Sequence, residues 1–152
     1  MRTLSSKPYD LKLQNSLIRL VDIVNFEGPL LTLFENSHNK DLYLLDWVDR
    51  DSQFNRWLIY RCTPIMLNKF IKGAISHLDL LLSDEAYCYT VDIDKNLIWH
   101  NLQKIEKRNL PDSYFPEKDV FFEAGDVPNL PKLTAIIHQS KIAKNEKVAY
   151  HD

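Results

Sequence analysis

The stretch from Asp41 to Thr63 constrains the fold more than any other. It reads DLYLLDWVD, then RDSQ, then FNRWLIYRCT, with apolar and polar residues alternating on both sides of a charged link. A period of two marks a strand, so two such runs around a short polar link predict an antiparallel hairpin. Placing Asp51 at the centre of the turn sets Asp46 opposite Arg56 and Asp41 opposite Arg61, two opposite-charge pairs from one choice. On the same side Leu44 then meets Leu58 and Leu42 meets Tyr60, while on the other Leu45 meets Trp57 and Tyr43 meets Ile59. A slip of one residue would set both acids against apolar neighbours. Both faces carry many apolar side chains, which predicts a central hairpin covered on two sides.

The flanking residues extend this frame. Thr63 is placed to cap a helix that opens with Pro64, continues through Ile65, Met66, Lys69 and Phe70, and ends at Gly73 in a left-handed cap. Ser76 and Asp79 form a capping-box signal for a second short helix through Leu82. Upstream, SLIRLVDIVNF and GPLLTLFEN read as strands paired around Gly28-Pro29, with a turn at Asn36–Lys40 leading into the hairpin. Downstream, AYCYTVDI and LIWHNLQ flank the turn Asp94-Lys95-Asn96, with Asn96 suited to the left-handed position.

Strands that follow one another without intervening helices imply an antiparallel sheet. The predicted order is β-β-β-β-α-α-β-β: an α+β domain with a sheet of about six strands and two short helices on one face. Residues 1–14 read as a loosely ordered N-terminal segment and 15–104 as the domain. Residues 105–152 read as an arm interrupted by Pro111, Pro116, Pro128 and Pro131, packed on the same domain or on a partner. A helix from about Lys132 to Lys144, with Leu133, Ile136, Ile137 and Ser140 along one face, closes the arm.

Composition argues against several functions. The net charge of −2 favours no partner by sign, and the scattered Lys and Arg form no basic stripe, so nucleic acid is not the expected partner. Gly28, Gly73 and Gly125 stand apart, whereas a phosphate-cradling loop needs glycines clustered so that backbone N–H groups are bared. Cys62 and Cys88 form no CxxC, so they read as buried reduced thiols rather than zinc ligands. The opening MRTLSSKPYD lacks the apolar run of a signal peptide, and no run of about 18 apolar residues occurs. The expectation is a cytoplasmic protein with no membrane partner, no cofactor and no metal.

Few residues suggest chemistry. No HxH, HxxxH or HExxH spacing links His38, His77, His100, His138 and His151. Asp92 and His100 fall on one face of the second hairpin, with Thr90 facing His100 and Cys88 on the same side. A carboxylate orienting an imidazole near a thiol is the logic of nucleophilic catalysis. Cys88 lies about two residue pairs from His100, however, and Ile98 and Leu102 share the face, so a half-buried core with one satisfied histidine explains it equally. Asp46, Asp49 and Asp51 could hold a cation at strand ends, but Asp46 is expected to pair with Arg56, and the others sit where turns favour Asp. Trp47, Trp57 and Trp99 are strand residues whose simplest role is core packing. Tyr114, Phe115, Phe121 and Phe122 lie among the prolines of the arm, where an irregular segment hides aromatics less easily, and they are the expected interface.

The run GPLLTLFEN…YLLDWVD…RWLIYRCTPIMLNKFIKGAISHLDLLL resembles an uncharacterised bacterial small α+β domain family, a domain of unknown function. The shared pattern is a Gly-Pro turn after the first strand, an aromatic-acidic strand, a further aromatic strand, and a helix carrying a Gly and a Leu-rich continuation. It covers about residues 17–102 and leaves out the arm. The resemblance implies a bacterial source and a compact α+β domain, and brings no activity or catalytic residues with it.

These observations point to a non-enzymatic protein-interaction module, an accessory or regulatory subunit of a bacterial multi-protein system such as a toxin–antitoxin or phage-defence pair. Its expected partner is another protein or a second copy. One alternative is a small hydrolase or nuclease using Asp92 and His100 or the acidic turn. Another is a small-ligand sensor with its pocket between helix and sheet.

Overall fold

The computed structural model describes the backbone over residues 8–25, 28–123 and 130–149, and side chains over 12–24, 28, 30–123 and 130–139. The expectations for residues 1–7, for the Ser140 side chain and for His151 lie outside these residues. Six strands run β1 Leu17–Asn25, β2 Pro29–Asn36, β3 Leu42–Arg50, β4 Phe54–Cys62, β5 Tyr87–Asp94 and β6 Trp99–Glu106. They lie in one sheet in chain order, each antiparallel to the next, with β1 and β6 at the edges. Helices α1 Pro8–Ser16, α2 Pro64–Ile71, α3 His77–Leu82 and α4 Leu130–Ala149 complete the α+β arrangement.

The helix starts follow from local chemistry. Thr63 Oγ1 accepts from the Met66 N–H at 3.2 Å, with Pro64 in the first turn of α2. Gly73, at φ 74°, closes α2 while the Ala74 N–H returns to the Lys69 carbonyl at 2.8 Å. Ser76 and Asp79 exchange side-chain and backbone hydrogen bonds in a capping box on α3. The structure adds α1 where a loosely ordered segment was expected: Pro8 stands at its start, and Ser16 Oγ bonds back to the Lys12 carbonyl at 2.5 Å. It also lengthens the closing helix, whose Pro131 sits in the first turn, where a missing N–H breaks no bond.

The central hairpin keeps its expected faces but not its expected partners. Leu44 lies opposite Tyr60, Asp46 opposite Leu58 and Trp47 opposite Trp57; a bulge at Val48 then sets Asp49 opposite Arg56. The register is displaced by two residues because Asp51 begins the turn instead of centring it. Its Oδ1 accepts from the N–H groups of Gln53 and Phe54, both at 2.8 Å. A shift of two preserves the period-two alternation and changes every cross-strand neighbour. The expected Asp46–Arg56 pair is therefore absent: Arg56 reaches Asp92 on β5 and Asp46 turns to Tyr60 and His77. Asp41 and Arg61 do meet, at 3.3 Å, although Arg61 stands opposite Tyr43.

The packing of α2, α3, α4 and the arm falls on one face. Leu33, Leu44, Leu58 and Tyr60 meet Leu67 and Phe70 of α2, Leu80 and Leu81 of α3, and Leu133 and Ile137 of α4 in one buried cluster. Each fully buried Leu contributes about 1.5–3 kcal/mol of hydrophobic stabilisation. The opposite face holds a second cluster, Leu45, Ile59 and Val91, ringed by half-buried aromatics, and all of its members come from strands. Coverage on both sides was expected; among the described residues only one side is covered.

The β5–β6 turn differs in its left-handed residue. Asp94 Oδ1 accepts from the N–H groups of Asn96 and Ile98, which passes the positive φ to Leu97, at 64°, instead of Asn96. Leu97 is 77% exposed, so packing returns little for this strained backbone. Leu97→Gly is expected to raise the free energy of unfolding by about 0.5–1 kcal/mol, read as a higher urea midpoint with an unchanged slope.

Candidate functional site

The uncovered face of the sheet forms a groove of about 700 Å³, within the size range of ligand sites. Its floor follows from the register. One row across the strands is Trp47, Trp57 and Val91; the neighbouring row is Arg50, Asn55, Ile93 and Trp99. Phe34 and Leu45 line the side nearer β2, and Leu97 of the β5–β6 turn lines the end. All three tryptophans of the chain therefore lie on one surface.

Most polar groups of the groove already have partners. Trp47 Nε1–H donates to Asn55 Oδ1 at 3.0 Å. Thr32 Oγ1 donates to Asp22 Oδ1 at 3.0 Å, and the same carboxylate pairs with Arg19 at 2.5 Å. Asp94 Oδ2 is 2.9 Å from His100 Nε2, and this hydrogen bond, together with the backbone N–H groups of Ile98 and Asn96, holds the Asp94 carboxyl below its ordinary range. Arg50 differs. Its backbone N–H meets Asp49, but among the described residues its guanidinium makes no ion pair.

A second constellation is buried beneath the helices. Asp46, 4% exposed, accepts from the Tyr60 hydroxyl at 2.7 Å, and the same Oδ2 lies 2.7 Å from His77 Nε2. Burial opposes charge on His77, but the Asp46 carboxylate outweighs it and holds the imidazole's pKa above its ordinary value. Burial, reinforced by Asp46, raises the Tyr60 hydroxyl well above its usual range. His77 also joins elements: its backbone N–H donates to the Val120 carbonyl at 2.9 Å, and its ring packs on Phe70, which packs on Phe122. Nearby, Lys107 is 4% exposed; its Nζ donates to the Ser83 carbonyl at 2.9 Å and lies over the Tyr60 ring, and burial lowers its pKa.

Asp92 and His100, expected on one face, stand directly opposite on β5 and β6. They nonetheless serve different partners. Asp92 takes a bidentate grip from Arg56 at 2.7 and 2.9 Å, with Asn101 Nδ2 at 2.9 Å, while His100 bonds Asp94. Burial alone would raise the Asp92 carboxyl, but the Arg56 and Asn101 hydrogen bonds outweigh it and hold the group low. Thr90 faces Gln103 and not His100, because the turn runs on to Ile98, which sets His100 opposite Asp92, and a bulge adds one further residue. Cys88 lies opposite Ile105, and burial pushes its thiol up to about 11, away from the thiolate a nucleophile requires. Asp49 and Asp51 are spent on backbone N–H groups of the turn. Among the described residues no three His, Cys, Asp or Glu side chains converge as a metal site.

The arm's aromatics largely face inward. Tyr114 is buried, its hydroxyl 3.2 Å from Arg56 Nη1; Phe115 and Phe122 pack on the core, and only Phe121, at 50%, is substantially exposed. The residue pattern points to these four as the interface and to the tryptophans as core. The parity of Tyr43, Leu45, Trp47, Trp57 and Ile59 already marks the groove face; the missing fact is which face the helices cover. Compared with known proteins, the chain matches no family model, no curated protein and no solved structure.

The Asp46–His77 contact has a pH signature. A folded-state pKa above the unfolded value near 6.5 gives stabilisation that is full below about pH 6.5 and lost as pH rises through the folded value. The stability difference between the parent chain and His77→Gln is therefore expected to be larger at about pH 5.5 than at about pH 9, as read by urea unfolding at both.

Proposed function

We propose that this chain is a non-enzymatic binding module, an accessory or regulatory component of a bacterial multi-protein system, whose recognition surface is the uncovered face of its sheet. The observation that carries the reading is the gathering of Trp47, Trp57 and Trp99 with Phe34 and Arg50 on one concave, uncovered surface. Trp, Tyr and Arg supply most of the energy at recognition surfaces because they bury large areas and still offer a polar handle. Leaving such a face to water without a use costs solubility. The bacterial setting rests on the family resemblance of residues 17–102.

The hydrolase reading gains no support from the geometry, since Asp92 is clamped by Arg56 and His100 is turned to Asp94. The arm is a weaker candidate surface than the groove, because Tyr114, Phe115 and Phe122 are engaged with the domain's own core.

The test is affinity capture from the source organism followed by native mass spectrometry, comparing the parent chain with a Trp47→Ala/Trp57→Ala variant. A stoichiometric bound species, protein or small molecule, retained by the parent and reduced by about ten-fold or more in the variant is the expected result. The same species retained equally by a folded variant would place recognition elsewhere.

A further inference from the structure

Resting on the reading of the groove as the recognition surface, we propose that its target is a small molecule with a planar aromatic ring and one anionic group. The ring would lie on the paired indoles of Trp47 and Trp57, and the anion would meet the Arg50 guanidinium one row away on the same strand as Trp47.

Three features of the surface select this class. The first is the balance of hydrogen-bonding groups. Thr32, the Asn55 side-chain oxygen and Asp94 already bond within the chain, so the groove is short of acceptors for a ligand's hydroxyl donors. A ligand rich in hydroxyls, such as a sugar, would leave many of them unsatisfied on an apolar floor, at a cost for each. A flat apolar body escapes that cost and gains from stacking on indole faces.

The second is charge. Of the charged side chains in the lining, Arg19 has Asp22 and Asp94 has His100, while Arg50 has no ion-pair partner among the described residues. A guanidinium offers a planar fork of donors matched to a carboxylate or phosphate. The third is spacing. Arg50 lies in the row next to Trp47 and Trp57, and adjacent same-face rows stand about 7 Å apart along a strand. A ring joined to its anion through one or two bonds spans that distance, which favours a compact ligand over an extended chain.

The probe is indole-3-acetate, compared with tryptophol, which keeps the ring without the charge, and cyclohexylacetate, which keeps the charge without the aromatic ring. The readout is the three indole N–H cross-peaks in a proton–nitrogen correlation spectrum, assigned by single Trp→Phe substitutions. Indole-3-acetate is expected to shift those of Trp47 and Trp57 saturably, and more than that of Trp99, with a Kd of about 1 mM or tighter, as a ligand of this size allows. Tryptophol, cyclohexylacetate, and indole-3-acetate on Arg50→Gln should each bind about ten-fold more weakly. Arg50 is exposed, so Arg50→Gln should unfold at the parent's urea midpoint.

No saturable shift with indole-3-acetate up to about 10 mM would overturn the proposal. So would equal binding of tryptophol or of cyclohexylacetate, or indifference to Arg50→Gln. A protein captured by the parent and lost by the tryptophan variant, with no response to indole-3-acetate, would overturn this ligand class while the binding-module reading stands.

Discussion

A strand that alternates apolar residues on both its faces must bury both or leave one for another use, and the helical elements here suffice for one. Leu44, Leu58 and Tyr60 lie under α2, α3 and α4, together with the arm residues Leu110 and Tyr114. Leu45, Trp57 and Ile59, their immediate neighbours in sequence, lie on the other side, in a cluster built only of strand residues. The division follows from the period of two: no residue of β4 can change sides without a bulge. The placement of the core, the docking of the arm and the existence of the groove all descend from that one-sided coverage.

The covered side is tied together by polar contacts as well as apolar ones. Asp46 on β3 bonds Tyr60 on β4 and His77 on α3, and Arg56 on β4 bonds Asp92 on β5 and Tyr114 in the arm. Such contacts add little net energy where charge must be desolvated, yet each would be costly to leave half-made, so they discriminate against alternative packings. They also engage side chains that the sequence nominates as reactive. The carboxylates and imidazoles that composition nominates as reactive are spent on holding elements in place.

Much of the architecture is legible in the residues. The alternation in DLYLLDWVD and FNRWLIYRCT, the Thr63-Pro64 start, the Gly73 cap and the Ser76/Asp79 box are local signals with local causes, and the element order follows from them. What escapes is whatever depends on a choice among nearly equivalent arrangements. A hairpin shifted by two residues keeps the same faces, so opposite charges at Asp46 and Arg56 suggest a register that the Asp51 turn and the Val48 bulge overrule. The positive φ at Leu97 escapes for a similar reason, since Asn96 is the better residue for it and the Asp94 hydrogen bonds decide otherwise. The groove escapes because no local pattern states which face the helices take, and tryptophans on a strand look like core until that is known. The arm misleads in the opposite sense: Tyr114, Phe115 and Phe122 lie in an irregular, proline-broken segment yet pack on the domain that carries them.

The most direct test of one-sided coverage compares two adjacent residues of β4. Leu58 is fully buried beneath the helices, whereas Trp57 is half-buried on the groove floor. Leu58→Ala should cost about 2–5 kcal/mol of stability in urea unfolding, as expected of a packed core. Trp57→Ala, though it deletes the larger side chain, should cost less than about half as much. Equal or greater loss at Trp57 would show that the second face is itself a sealed core, and would contradict the account.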